Sequence, residues 1–563
     1  MKALRELPRE RERGPERIIQ FGEGNFLRAF VGWMVDKANA AGVYDGSIVA
    51  VQPIGQGMAK ELMAQDCRYT VILRGIMDGK EVNDASVVGS MSRCLSPYAD
   101  FEAFLALADQ PGMRFVVSNT TEAGIAYSAA DRPTDRPPAS YPAKLALLLH
   151  RRWERFGAEK GKGLVVIPCE LIDRNGDELG KIVRRLAREW GWEASFLAWL
   201  DAECAFLNSL VDRIVPGYPR AEAEALWQRL GWRDDLLDTA EPFLLWVIEG
   251  DPAYAEELPL HKAGLGVVWT RDMTPYRTRK VRILNGAHTS TALAAWLAGI
   301  DTVGDCVKDP VVGAYLRKAV FDEIIPTIDM PRPELEAYAS AVLERFANPY
   351  IRHELISISL NSVSKFKARV LPSLMTAWRK APGSAPILVF SLAALAAFYR
   401  GSGIEGNALL CARPAPSAGG AGGGAAPGAA ATASSAAATA SGAAASGQTA
   451  TYQAKDDLPV LERFLAIWRA AEAGAGIAPA APVAPAAAPA VAAAVARDLV
   501  RETAFWGEDL SPLAGLEAAV ATSLASILSR GSLETMRDLV SDRGPAGDAG
   551  DLGAWTGGRK GGA

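Results

Sequence analysis

The chain is poor in the residues that build metal clusters and disulfide frameworks. Its six cysteines (Cys67, Cys94, Cys169, Cys204, Cys306 and Cys411) are widely spaced and form no CxxC pair. That excludes a zinc ribbon or a disulfide scaffold and points to a reducing compartment, so a cytoplasmic location is expected. Only four histidines occur, His150, His261, His288 and His353, so no metal site is expected. An excess of basic charge is also missing. Sixty Lys and Arg stand against 65 Asp and Glu, a net charge of −5, which argues against a nucleic-acid binder. No apolar run reaches the roughly 20 residues needed to cross a bilayer. The most apolar stretch, 387–399, reads as a buried helix, and no membrane partner is expected. The N-terminus, MKALRELPRERERGPER, has no apolar h-region and reads as no signal peptide. What remains is an ordinary globular composition, 49% apolar and 22% charged, over 563 residues, which calls for more than one domain.

The first part of the chain alternates short β-type runs with helical patterns. Strands are predicted at 17–21 (RIIQF), 47–52 (SIVAVQ), 69–73 (YTVIL), 114–118 (RFVVS) and 164–167 (LVVI), with helices such as 26–41 and 98–108 between them. This order predicts an α/β domain with a mainly parallel sheet. From about residue 180 helical periodicity dominates, including 181–190, 195–211, 221–230, 289–298, 310–325, 332–346 and 386–399. The expected domains are 1–275 (dinucleotide-binding) and 276–410 (helical, substrate-binding). Residues 411–455 are expected to be a disordered Ala/Gly/Ser linker. C-terminal helices follow over 456–540, interrupted by an Ala/Pro linker at 473–490, and 541–563 reads as a disordered tail. Such low-complexity stretches bury too little apolar surface to offset the entropy of ordering.

The first strand runs into Gly22-Glu23-Gly24-Asn25-Phe26-Leu27-Arg28. Strand, GxG, helix is how a dinucleotide-binding βαβ unit opens. Gly22 permits the tight turn, and Gly24 lets the backbone approach a pyrophosphate at the helix N-terminus. Asn25 and Phe26 follow as cofactor-contact candidates. Leu27 occupies the position of the third glycine. The next strand ends in Gln52-Pro53, where an acid would normally bind the ribose of NAD, so NAD and NADP are not distinguished by that position. A further loop, Asn119-Thr120-Thr121-Glu122, follows a predicted strand. Its residues Asn119, Thr121 and Glu122 are expected beside the cofactor.

The segment 279–289 (RKVRILNGAHT) holds Lys280, Asn285 and His288. Asn285 and His288 are three apart and share a face if a helix begins here. Lys280, one to two turns earlier, can converge with them. The set suits carbonyl reduction: a lysine supplies the proton, an amide N–H₂ stabilises the developing alkoxide, and a histidine orients the substrate.

Lys280-x4-Asn285-x2-His288 with an N-terminal GxG resembles the polyol-specific long-chain dehydrogenase family, whose members include mannitol dehydrogenases. Residues 208–214 (NSLVDRI) and 345–349 (RFANP) resemble two further signatures of that family. The stretches 16–30, 114–125, 167–176, 211–219 and 347–352 resemble its hexuronate-reducing branch. The resemblance implies an α/β Rossmann-type N-terminal domain followed by a mostly α-helical C-terminal domain. It implies NAD(H), no metal, and a small-molecule hexuronate substrate reduced at its ketone. It also implies that Lys280 is the general acid/base, that Asn285 polarises the carbonyl and that His288 assists positioning. A related reductase of fructuronate or a polyol dehydrogenase, and a non-catalytic NAD-binding scaffold or sensor, are the alternatives. The mannitol branch carries an Asp-Asn pair where this chain has Glu170-Leu171, which weakens a mannitol assignment.

For a substrate acid, Asp212 and Arg213, read as following a helix end, and Arg345 and Arg352 are candidate contacts, because an arginine binds a carboxylate bidentately. Sequence does not choose among these arginines, nor does it fix the oligomeric state. Cys169 reads as a packed small hydrophobe, and Lys365 as a solvated lysine.

Overall fold

A computed structural model describes residues 1–120, 123–157, 159–413 and 451–541. The chain divides into two compact units between Tyr276 and Arg277.

The first unit is built on six strands: β1 (Glu16–Phe21), β2 (Ser47–Val51), β3 (Met91–Leu95), β4 (Phe115–Ser118), β5 (Val165–Pro168) and β6 (Ala205–Phe206). They lie in the order β3-β2-β1-β4-β5-β6, every pair parallel. Both faces of the sheet are covered, and alternation along the strands shows it. Ile18, Ile48, Phe115, Val117 and Ile167 enter one core with Phe30 and Met34. Ile19, Phe21, Val49, Val116 and Val166 enter another with Leu145, Leu148 and Leu149. Successive side chains of a strand point to opposite faces, so near-continuous apolar strands are what a doubly covered parallel sheet needs. The order reverses between β1 and β4, which is where such sheets bind ligands beyond their C-terminal ends.

Several expectations are corrected in this unit. The strand predicted at 69–73 forms as Tyr69–Met77 but pairs with Lys80–Val88 and Asp238–Ala240 in a separate sheet. The helix expected over 195–211 stops at Glu203, and Asn208–Asp212 is a strand antiparallel to Leu245–Glu249. Leu245–Glu249 and Val267–Thr270 were hidden inside a stretch read as helical. Short apolar runs carry no decisive period, and here the cross-strand partner settles the conformation.

The second unit is helical. Helix Pro386–Phe398 has every residue from Ile387 to Phe398 buried, as its apolar sequence predicts. Two linker expectations are corrected. The edges of the 411–455 segment are strands: Ala408–Ala412 pairs with Thr451–Ala454. Residues 414–450 between them lie outside the described residues. The 473–490 segment is not a free linker. Helix Leu458–Gly474 runs into it and helix Ala488–Val500 leaves from it. Between them the buried Glu472 carboxylate accepts the Ala480 N–H at 3.2 and 3.1 Å and pairs with Arg400 at 2.8 Å. Arg400 also donates to the Ala481 carbonyl. A buried ion pair that takes up the backbone donors of a turn orders a composition that could not order itself. Helix Ser532–Ser541 ends the described chain, and the expected tail beyond it lies outside.

Candidate active site

In the first unit the turn after β1 places Gly22 at φ +116°, with its N–H donating to the Val51 carbonyl at 3.0 Å. A Cβ there would stand 2.9 Å from the Asn119 carbonyl oxygen and 3.2 Å from Leu27 Cδ1. Conformation and space both require glycine. Leu27, at the third-glycine position, is buried against this turn. By contrast nothing lies within 4 Å of a Cβ on Gly24, so the backbone is open to an incoming group. The helix beginning at Asn25 runs through a π-turn, Arg28–Gly32, into Trp33–Ala40. An exposed glycine before free helical N–H groups fits a pyrophosphate.

Asn25 and Phe26 hold this loop from below. Arg28 is buried, donates to Asn25 Oδ1 at 2.6 Å and to the Leu236 carbonyl at 2.5 Å, and lies 3.7 Å from Asp238. Phe26 stacks on Phe30 at 4.9 Å. Asn119 joins the loop to β1 and β5: its N–H donates to the Phe21 carbonyl at 3.0 Å and its amide to the Cys169 carbonyl at 2.8 Å. Thr121 and Glu122 lie outside the described residues. Glu170 is buried and accepts from Ser118 Oγ, Thr120 N and Thr120 Oγ1 at 2.9–3.0 Å, while Leu171 is 63% exposed. Cys169 is buried, and burial pushes its thiol well above the ordinary range.

Asp212 and Arg213 are corrected. Asp212 ends a strand and Arg213 follows it, where a helix end was expected, and both are buried. Arg213 donates to the carbonyls of Glu241 and Ala29 at 2.9 and 2.8 Å and covers the Trp33 ring at 4.6 Å. Burial lowers its guanidinium to about 10. These contacts commit Arg213 to holding the π-turned helix, which removes it as a carboxylate clamp. The adjoining NS pair has a similar task. Ser209 Oγ donates to the Pro168 carbonyl at 2.5 Å, and Asn175 Nδ2 bonds the carbonyls of Pro168, Glu170 and Ser209 at 3.0 Å, fixing the loop after β5.

Helix Thr274–Arg279, in which the two units divide, passes through a π-turn, Lys280–Asn285, into helix Gly286–Leu297. In a regular α-helix residues five apart point about 140° away from each other. The wider i→i+5 turn brings the fifth residue back over the first, so Lys280 and Asn285 share a face. His288, three further on at α-helical spacing, joins them. All three are half-buried. Gly286 lets this run pass closely under a neighbour, since a Cβ would stand 3.2 Å from the Arg369 carbonyl.

His288 is bonded through the Leu284 backbone and packs 4.1 Å from Phe346 and 5.2 Å from His353. Its Nε2 is shielded from solvent and has no hydrogen-bond partner among the described residues. Burial, with His353, Arg345 and Arg369 close by, pushes the imidazole down to about 3. It is therefore neutral at physiological pH. Arg345 is buried beside it. Arg369, which the sequence analysis missed, reaches toward Thr289 Oγ1 at 3.5 Å. No motif marks it; only its proximity to His288 does. Lys365 is half-buried rather than solvated and donates to the Ile358 carbonyl at 2.9 Å. Arg352 is corrected: its side chain is 75% exposed and paired with Glu354 at 2.6 Å. Among the described residues no group of three His, Cys, Asp or Glu could hold a metal, and no helix is long and apolar enough to cross a membrane.

Comparison with known proteins agrees with both halves. Residues 16–262 match the mannitol dehydrogenase Rossmann domain, and 272–417 match the mannitol dehydrogenase C-terminal domain. An altronate oxidoreductase of Shigella flexneri is 43% identical over 93% of this chain and 97% of its own length. That of Klebsiella pneumoniae (strain 342) is 52% identical over 69% of this chain and 80% of its own. Among solved structures, a D-sorbitol dehydrogenase in substrate-free form aligns with a TM-score of 0.68 at 23% identity, over 93% of this chain and 95% of that one. Pseudomonas fluorescens mannitol 2-dehydrogenase, in a ternary complex with NAD and D-mannitol, aligns at 0.60 and 21%, over 94% and 95%. At these identities the two structures speak for the fold. Sequence, strand order and family matches together show that the chain belongs to the mannitol dehydrogenase family.

Proposed function

We propose that the chain is an NAD-dependent altronate oxidoreductase, reducing tagaturonate to altronate reversibly and without a metal. The observation that carries this reading is the 43% identity to an altronate oxidoreductase across 93% of the chain. The proposed place of the reaction is hexuronate breakdown in the cytoplasm, where six free, buried thiols stay reduced.

The Gly22–Gly24 turn and the following helix N-terminus hold the pyrophosphate. When bound there, NADH would supply the hydride for the ketone carbon. Lys280 donates a proton to the carbonyl oxygen as it becomes an alkoxide, and takes it back in the reverse direction. The Asn285 amide stabilises the charge on that oxygen. Neutral His288 fixes the substrate's orientation. Arg345 and Arg369, beside His288, supply the positive field a uronate carboxylate needs. A polyol carries no carboxylate, so this pair of cations favours the acid over mannitol.

The test is NADH oxidation by purified protein with tagaturonate, fructuronate and fructose in parallel. Turnover with tagaturonate well above the others is expected. Preference for fructuronate or fructose would move the enzyme within the family. NADH binding without turnover on any of them would replace the reading with that of an NAD-binding scaffold or sensor.

A further inference from the structure

Dinucleotide-binding sheets ordinarily carry an acid at the end of the second strand, where it takes the ribose hydroxyls and repels a 2′-phosphate. Here that position is Gln52, and its amide is occupied. Nε2 donates to the Ile54 carbonyl at 2.8 Å, and Oε1 accepts the Ala59 N–H at 3.3 Å. It carries no charge to select a cofactor.

A carboxylate reaches the same place from the neighbouring strand. Phe21 at the end of β1 pairs with Val51 at the end of β2, so the two turns lie side by side. Glu23, between the two loop glycines, extends across to β2. Its Oε1 accepts the Met58 N–H at 3.1 Å. A Cβ on Gly57 would stand 2.0 Å from Glu23 Oε1 and 2.7 Å from Gln52 Cδ. The two side chains thus meet over Gly57, at the end of the second strand and next to the open backbone of Gly24. Glu23 is only 6% exposed, a costly place for a carboxylate whose task is solubility.

We propose that Glu23 replaces the missing strand-end acid, accepting hydrogen bonds from the adenosine ribose hydroxyls and excluding a 2′-phosphate. The proposal rests on the reading of the chain as a dinucleotide-dependent oxidoreductase. It makes the choice of NAD a property of the glycine turn rather than of the second strand.

Glu23→Gln separates this from a purely structural role. The amide oxygen can still accept the Met58 N–H, so the turn keeps its bond while the charge disappears. Dissociation constants for NADH and NADPH are measured by quenching of tryptophan fluorescence, with a thermal melt of each protein. The wild type should prefer NADH. In Glu23→Gln the NADPH-to-NADH ratio of dissociation constants should fall about tenfold or more, as expected for removing one like charge from a phosphate's surroundings. Glu23→Asp keeps the charge and shortens the reach. It should weaken NADH severalfold while still rejecting NADPH. If the wild type binds NADH and the ratio in Glu23→Gln stays within twofold of it, the proposal fails and the NAD reading stands. Equal weakening of both cofactors by Glu23→Gln likewise reduces Glu23 to a brace of the turn. A wild type that binds neither cofactor would bring down the NAD reading itself.

Discussion

The two motif-bearing helices share a construction and differ in what does the chemistry. Each carries a π-turn, at Arg28–Gly32 in the first unit and Lys280–Asn285 in the second. In the first, the groups proposed to meet the cofactor are backbone N–H groups, and the π-turn is packed away with Arg28, Ala29, Phe30, Val31 and Gly32 all buried. In the second, the π-turn itself carries two of the side chains proposed to act on the substrate, Lys280 and Asn285. Where the backbone does the work, the sequence announces it by glycine. Where side chains do it, spacing alone misleads, because five residues apart means opposite faces until the turn widens.

The comparison can be broken most sharply at Lys280. Lys280→Ala should lower kcat by about 10²–10⁴-fold, the usual share of a general acid, while NADH binding measured by fluorescence stays unchanged. Equal loss of both would mean that the π-turn shapes the fold rather than the chemistry. At the backbone-driven site, Gly22→Ala should act on binding and stability instead. A side chain at φ +116° and 2.9 Å from a carbonyl oxygen should cost roughly 1–3 kcal/mol in urea unfolding and weaken NADH.

The arginines sharpen the contrast further. Arg369→Leu should raise KM for the uronate about tenfold or more with a smaller change in kcat, as loss of a charge-assisted contact does. Arg352→Ala should leave both within about twofold, since an exposed ion pair contributes little. Arg213→Ala should leave the kinetics of the folded enzyme near normal but cost about 3 kcal/mol in stability, by stranding buried carbonyls.

A further effect is expected on pH dependence. His288 is depressed to about 3 in the folded chain, from an ordinary value near 6.5. The unfolded state therefore binds the extra proton first. The stability this histidine contributes is present above pH 6.5 and is lost as pH falls from there toward 3. Between pH 7.5 and 5 the loss should be about 2 kcal/mol, and His288→Asn should remove that portion of the acid-side slope in urea titrations.

The glycine turn, four of the six parallel strands of the first unit and the apolar helix at 386–398 were legible because each carries a local physical requirement. A positive φ needs glycine, a doubly covered strand needs continuous apolar residues, and a fully buried helix needs an apolar sequence all round. The 195–211 stretch was misread because its end, from Asn208, owes its strand to the distant partner Leu245–Glu249. Arg213 read as a substrate contact because nothing near it in sequence shows the carbonyls of Ala29 and Glu241 that it bonds. Residues 473–490 looked unable to order because Glu472 and Arg400, which order them, are 72 residues apart.

By itself, then, the sequence determined the type of each half and supplied the candidates proposed for the phosphate loop and for the reducing helix, since these readings depend on neighbours along the chain. Tertiary structure decided which arginines stand beside His288, which are buried as struts, and that a carboxylate on one strand covers the end of the next. Those outcomes rest on burial and on partners distant in sequence, and both come into being only when the chain has packed.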